Sequence, residues 1–183
     1  MAFKDNILEF SDTKIVDTNI DVEVMMDWEA PIMEKSAEFI CHNSGDVLEI
    51  GFGMGVCADY IQAQGVNSHT IIELHPQILE RLNTWASGKS NVTVIEGDWA
   101  NLSLIDTYDG IFLDTFADEN SHMFKEFALS KIKSGGKITY FNGREEEWNL
   151  FEFDSLSYEQ IPVIREDNYY FNGNVYYMPK VEV

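Results

Sequence analysis

Basic residues are scarce in this chain. Lys and Arg total 12 against 32 Asp and Glu in 183 residues, a formal net charge of −20. A surface of that sign repels phosphate backbones, which argues against nucleic acid as a partner and suits a small cationic substrate. Cysteine is nearly absent. Cys41 and Cys57 stand sixteen positions apart without metal-ligand spacing, and read as small buried thiols of a cytoplasmic protein. No apolar run approaches the roughly 20 residues of a membrane helix, and Met1-Ala2-Phe3-Lys4-Asp5-Asn6 opens no signal peptide. His42, His69, His75 and His122 are scattered with no metal motif, and spacing supports no Ser/His/Asp grouping. Apolar residues, by contrast, are plentiful. At 45% hydrophobic and 13% aromatic, the composition argues against disorder and fits one domain with a sizeable core.

Hydrophobic periodicity orders the elements. Trp28 to Cys41 reads as a helix with Pro31 in its first turn. A strand at Val47–Ile50 leads to a helix over 56–64, a strand over 70–74 and a helix over 76–86. Strands over 91–95 and 110–113 follow, then a helix through Phe124 and Ile132, a break at Ser134-Gly135-Gly136 and a fifth strand from Lys137 to Phe141. This alternation predicts a Rossmann-like, doubly wound parallel sheet with helices on both faces. The tail is β-rich over 159–165 and 174–178, with Asn172-Gly173 as a turn. A C-terminal antiparallel hairpin would bring the mostly parallel sheet to seven strands.

The most informative stretch is Glu49-Ile50-Gly51-Phe52-Gly53-Met54-Gly55-Val56, where an apolar strand turns into a helix through three alternating glycines. Glycine lets backbone approach a ligand, and the helix start offers free N–H groups. The turn lacks the Lys-Ser/Thr of a phosphate loop. Glu73 lies twenty residues beyond Gly53, where an acid meets ribose hydroxyls, which fits either a dinucleotide or an adenosyl ligand. Two details favour the adenosyl ligand. Val56 stands where the dinucleotide fingerprint needs glycine, and Asp98 beside Trp99 suits an adenine amino group and an adenine face. Asp114 and Asn142 end the fourth and fifth strands, at the same edge of the sheet. Each acid alone also reads as a helix cap or a solvated loop residue; together they point to S-adenosylmethionine.

Three segments carry a resemblance: Val24-Met25-Met26-Asp27-Trp28-Glu29-Ala30-Pro31-Ile32-Met33, the glycine turn with its Phe52-Gly53-Met54, and Tyr108-Asp109-Gly110-Ile111-Phe112-Leu113-Asp114-Thr115-Phe116. Through them the chain resembles class I S-adenosylmethionine-dependent methyltransferases, and most of all the guanidinoacetate N-methyltransferase group with its related arginine methyltransferases. The resemblance implies that Gly51, Phe52, Gly53, Met54, Gly55 and Val56 wrap the methionine end of the cofactor. Glu73, with Leu74 and His75 after it, would hold the ribose, Asp98 and Trp99 would border adenine, and Met25 and Met33 would close over the ligand. It further implies that residues 1–27 form a cofactor-covering segment, in which Phe3 is the candidate lid aromatic, ahead of a methyltransferase domain over 28–183.

By the same resemblance Glu29 and Asp114 grip a guanidinium. A planar guanidinium is a poor nucleophile until a proton leaves, and paired carboxylates both orient it and accept that proton. Asp114 is assigned as base and Glu29 as its partner. Asn142, Gly143 and Arg144 complete the expected substrate site, with Arg144 toward a substrate carboxylate. That loop carries Asn142-Gly143-Arg144 where guanidinoacetate enzymes have a Leu-Thr pair, which leaves the guanidine open. Another small-molecule amine or hydroxyl acceptor, and a non-catalytic S-adenosylmethionine-binding role, are the alternatives. Nothing in the sequence chooses between a monomer and a homodimer.

Overall fold

The computed structural model describes residues 2–183. Three short strands, β1 (Leu8–Phe10), β2 (Lys14–Asp17) and β3 (Val22–Met26), form an antiparallel sheet of their own in that order. The sequence predicts only a covering segment here. Strands of three to five residues are too short to show a clear alternation of apolar and polar positions. Leu8 and Ile15 anchor this sheet among Phe52, Ala58, Ile71 and Leu82. A single 3-10 turn (Asp27–Glu29) then leads into α1 (Ala30–Ile40), whose first turn holds Pro31 with its preset φ.

The second sheet is built from β4 (Asp46–Ile50), β5 (Ser68–Glu73), β6 (Val92–Glu96), β7 (Tyr108–Leu113), β8 (Ile132–Tyr140), β9 (Leu156–Pro162) and β10 (Val175–Glu182). Its order is β6-β5-β4-β7-β8-β10-β9. The first five strands pair in parallel, and β10 runs antiparallel to both β8 and β9. Helices α2 (Val56–Ala63), α3 (Pro76–Ala86) and α4 (Phe124–Lys131) complete the cover. Successive residues of one strand serve opposite faces. Val47 and Phe112 pack with Met33 and Ile40 of α1, whereas Leu48, Ile111 and Leu113 pack with Phe124 and Ala128 of α4. Buried on both sides, these strands read as continuous apolar runs.

Two details differ from the sequence-based expectation. Strand β8 starts at Ile132, directly after α4, and absorbs Ser134-Gly135-Gly136 as an irregularity. Its register with β7 moves from Tyr108↔Ile132 to Gly110↔Lys137. At the C-terminus, β9 and β10 are joined by residues 163–174 rather than by a tight turn at Asn172-Gly173. The type I′ turn of that dipeptide needs positive φ at both positions, and neither Asn172 nor Gly173 adopts it. Instead Arg165 donates to both of their carbonyls (2.6 and 3.2 Å), and Phe171 is buried against Trp28. Burying that ring requires the longer loop.

The strand ends are stitched where β4 meets β5 and β7. The Gly51 N–H donates to the Ile72 carbonyl and the Asp114 N–H to the Ile50 carbonyl, both at 2.9 Å. Gly51 has φ +91, and a Cβ there would collide with the Asp114 carbonyl oxygen. Gly88 also has positive φ (+82), with open space where its Cβ would be. Gly88→Ala is therefore expected to cost only the left-handed backbone term, about 1–2 kcal/mol. Gly51→Ala adds overpacking of roughly 1–3 kcal/mol. Urea unfolding of the two variants checks this; equal losses of stability would contradict the stitching role of Gly51.

Candidate active site

The chain order reverses at β4, whose neighbours are β5 and β7, and the C-terminal ends of β4–β7 open there into a cavity of about 690 Å³. Gly51, Gly53, Glu73, Leu74, Asp98, Trp99, Asp114 and Gly143 reach its wall, as do Met25 and Glu29 from the N-terminal side. Phe52, Met54, Gly55, Val56, Met33, His75, Asn142 and Arg144 do not.

The glycine turn explains part of that division. Gly53 has φ +54, and the Met25 sulfur lies 2.5 Å from where its Cβ would be. The Met54 N–H donates to the same sulfur (3.2 Å). Phe52 points down into the core against Trp85, with ring centroids 5.4 Å apart. Backbone, not side chains, thus faces the cavity along this turn. Met33 lies fully buried in α1, and His75 caps α3 by accepting from the Gln77 N–H (3.2 Å). Phe3 lines the mouth, its ring between His75 and Phe116, 4.9 Å from each.

Glu73 is held by backbone. Its Oε1 accepts from the N–H groups of Leu74 and His75 (2.8 Å each) and its Oε2 from that of Phe52 (3.0 Å). Burial pushes its pKa up, and those three N–H groups oppose the rise. Asp98 accepts from the Ala100 N–H (3.0 Å) and from the Asn101 and Asn120 side chains (2.7 and 2.8 Å). Its neighbour Trp99 is buried, and its indole N–H donates to Asp118 Oδ2 (2.8 Å), which also accepts from the Thr115 hydroxyl (3.0 Å). Asp118 escaped the sequence reading. A buried indole N–H announces that an acceptor exists, but not which one.

On the other side of the cavity, Glu29 is 3% exposed. Its Oε1 accepts from the Met26 N–H (2.8 Å) and from the Tyr170 hydroxyl (2.6 Å). Both bonds fall on one oxygen, which leaves Oε2 free among the described residues. The half-buried Asp114 carboxylate accepts no hydrogen bond from the described residues. Burial raises the pKa of both groups; the charge of Asp114 adds to the effect on Glu29, and those of Glu49 and Glu73 add to that on Asp114. Tyr169 and Tyr170 line the same region from the loop between β9 and β10. No sequence signal placed that loop here. Arg144 stands over the Trp148 ring instead (4.3 Å), and the Asn142 amide donates to the carbonyls of Glu146 and Tyr177 (3.2 and 3.4 Å). Among the described residues the wall carries seven acids, Glu23, Glu29, Glu73, Asp98, Asp114, Asp118 and Glu119, against the single base Lys4.

Known proteins share this sequence and architecture. The guanidinoacetate N-methyltransferase family profile matches residues 2–167. Protein arginine N-methyltransferase 2 of Saccharomyces cerevisiae is 31% identical over 210 residues, covering 95% of this chain and 51% of that protein. Its Kluyveromyces lactis counterpart is 36% identical over 74% of this chain and 37% of that protein. The chain therefore spans about half the length, or less, of these relatives. Among solved structures, the N-methyltransferase NodS of Bradyrhizobium japonicum superposes with TM-score 0.67 at 12% identity, covering 85% of this chain and 96% of NodS. Spermidine synthase of Thermotoga maritima superposes with TM-score 0.62 at 13% identity, covering 96% of this chain and 72% of the synthase. These two likenesses speak for the fold. The sequence matches decide the family: the chain belongs to the guanidinoacetate N-methyltransferase family, within the class I S-adenosylmethionine-dependent methyltransferases.

Proposed function

We propose that this chain methylates a guanidino nitrogen, with Glu29 and Asp114 as the acceptor clamp. The observation that carries the reading is the buried Glu29 and half-buried Asp114, each with an oxygen that no described residue occupies, on a wall whose described residues include seven acids and one base. Such a site pays a standing electrostatic cost unless a cation enters it.

The residues fit the cofactor. Gly51 and Gly53 offer bare backbone to the cavity, Glu73 would hold the ribose hydroxyls, Asp98 and Trp99 would border adenine, and Met25 would close the methionine end. Bound S-adenosylmethionine supplies an electrophilic sulfonium methyl. The protein's part is then to hold and deprotonate the nucleophile. Both Asp114 oxygens are open to two parallel N–H bonds from a planar guanidinium, and Glu29 Oε2 takes a third. Asp114 would receive the proton as the nitrogen takes the methyl and the thioether S-adenosylhomocysteine leaves, because burial makes its carboxylate a stronger base than one in water. Holding nucleophile and methyl in line is worth up to about 7–11 kcal/mol in well-oriented systems.

The acceptor we favour is an arginine side chain within a polypeptide. A free guanidino acid brings a carboxylate that needs a cation, yet Arg144 is over Trp148 and the Asn142 amide is committed elsewhere. The relatives' names, protein arginine N-methyltransferase 2, agree with this choice. A small guanidino compound is the second reading, favoured by Gly143, the one residue of the expected carboxylate loop that reaches the wall. Methyl transfer from labelled S-adenosylmethionine separates them. Label is expected in arginine-bearing polypeptides and not in the same sequences with lysine for arginine; label in guanidinoacetate or free arginine alone would select the second reading.

Asp114→Asn tests the pair. Turnover is expected to fall at least about 1,000-fold, with S-adenosylhomocysteine affinity within a few-fold of wild type. The folded pKa of Asp114 lies above its unfolded value of about 3.9, so wild-type stability falls as pH rises from there toward neutral. The neutral asparagine escapes that loss. Without ligand at pH ~8 the variant should be roughly 1–3 kcal/mol more stable than wild type, one pKa unit being about 1.4 kcal/mol. A less stable variant with wild-type turnover would remove Asp114 from the mechanism.

A further inference from the structure

The shortest hydrogen bond to Glu29 among the described residues comes from a residue outside the segments the family resemblance marks as the site. Tyr170 lies in the loop between β9 and β10, yet its hydroxyl reaches Glu29, 141 positions earlier, at 2.6 Å. Its ring lines the cavity and stacks on Trp28 (centroids 5.9 Å, planes 29° apart). The next residue, Phe171, stacks on the same indole (5.6 Å, 20°) and is 1% exposed. Trp28 directly precedes Glu29 in the 3-10 turn, so the loop and the turn that carries the carboxylate are clamped together. Asn168 Oδ1 accepts from the backbone N–H groups of both Tyr170 and Phe171 (3.1 and 2.8 Å), which fixes the loop from below.

We propose that Tyr170 is a positioning residue for the acceptor. By donating to Glu29 Oε1, already bonded to the Met26 N–H, it locks the carboxylate so that only Oε2 meets the guanidinium. The inference rests on the reading of Glu29 and Asp114 as the acceptor clamp. A free carboxylate rotates and offers either oxygen; one tied twice through Oε1 offers a fixed edge. With both oxygens of Asp114, the fixed edge makes three acceptors, and a planar guanidinium fork matches them better than a tetrahedral ammonium. The charged groups facing the Tyr170–Glu29 contact are Asp114 at the end of β7 and Glu23 on β3. Both disfavour ionisation of the phenol, as does burial, so Tyr170 stays a donor throughout the physiological pH range. Its hydrogen bond also favours the charged form of Glu29, against burial and the charge of Asp114.

Tyr170→Phe keeps the ring on Trp28 and removes only the donor. Tyr169→Phe, a cavity neighbour without a bond to Glu29, is the control. Two readouts are needed. The first is the titration of the Glu29 carboxyl carbon, followed by NMR in glutamate-labelled protein saturated with S-adenosylhomocysteine. Its midpoint should move to higher pH in Tyr170→Phe and stay put in Tyr169→Phe. The second is the pH profile of kcat/KM for the guanidine acceptor. Its acid limb should move the same way, because Glu29 must now lose its proton against a weaker pull. At neutral pH kcat/KM should fall by roughly 10- to 100-fold, the loss of one hydrogen bond to a charged group. S-adenosylhomocysteine affinity should hold within about twofold. An unmoved Glu29 midpoint overturns the proposal, as does a loss of S-adenosylhomocysteine affinity equal to the loss of kcat/KM, which is the mark of a merely structural role. If the midpoint moves while wild-type protein methylates no guanidine, the positioning of Glu29 stands and the guanidine reading falls.

Discussion

The site is organised around an electrostatic strain: a buried carboxylate, Glu29, and a half-buried one, Asp114, face the same cavity, and among the described residues no basic side chain pairs with either. Burial raises the proton affinity of Glu29 and Asp114, and the negative charge of Asp114 raises that of Glu29 further. In a stable core such a pair is costly, and a single compensating lysine or arginine would relieve it. None of the described residues supplies one. Lys4, the only base on the wall among the described residues, comes from the N-terminal segment, and Arg144 stands over Trp148. On the function proposed above, the compensation is left to an incoming ligand, and a delocalised, weakly hydrated guanidinium is the cation best matched to such carboxylates.

The fold supplies the rigidity this arrangement demands. Asp114 sits where β7 is tied to β4 through the Ile50 carbonyl, and Gly51 permits the close approach of those strand ends. Glu73 hangs from three backbone N–H groups contributed by two different turns. Beneath them lies another buried polar contact. His69 Nδ1 accepts from the Gln62 amide (3.2 Å), which assigns the ring proton to Nε2, the donor to Glu49 Oε2 (2.9 Å). Glu49 in turn adds its charge to the field on Asp114. On the opposite wall Glu29 is held by the turn that starts α1 and by a tyrosine from the far end of the chain. Glu73, Glu29 and the backbone of Asp114 are thus each held by a different element, which keeps the cleft in place before any ligand arrives.

Much of this was legible because the central strands are buried on both faces. Continuous apolar runs such as Val47–Ile50 and Ile111–Leu113 mark a parallel sheet, and the residues after them fall at one edge by topology alone. Glu73, Asp98, Trp99 and Asp114 were found in that way. What escaped depended on contacts distant in sequence or on strands too short to show a period. The N-terminal sheet is one case, with strands of three to five residues. Tyr170 is another, since only the length of the 163–174 loop and the burial of Phe171 bring it to Glu29. Phe52 shows a subtler limit. The glycine turn identifies where backbone approaches a ligand, but the Phe52 side chain turns into the core against Trp85. Sequence located the turn and left the direction of its side chains to packing.

The central claim is that the carboxylate pair recognises a guanidinium by releasing a proton that burial leads it to hold and taking an external cation in its place. Calorimetry of methylguanidinium binding to the S-adenosylhomocysteine complex near pH 7, repeated in buffers of different ionisation enthalpy, tests it most directly. The account predicts binding with net release of protons to the buffer, and markedly weaker binding of methylammonium. Methylammonium binding as tight as methylguanidinium, or guanidinium binding without proton release, would contradict it.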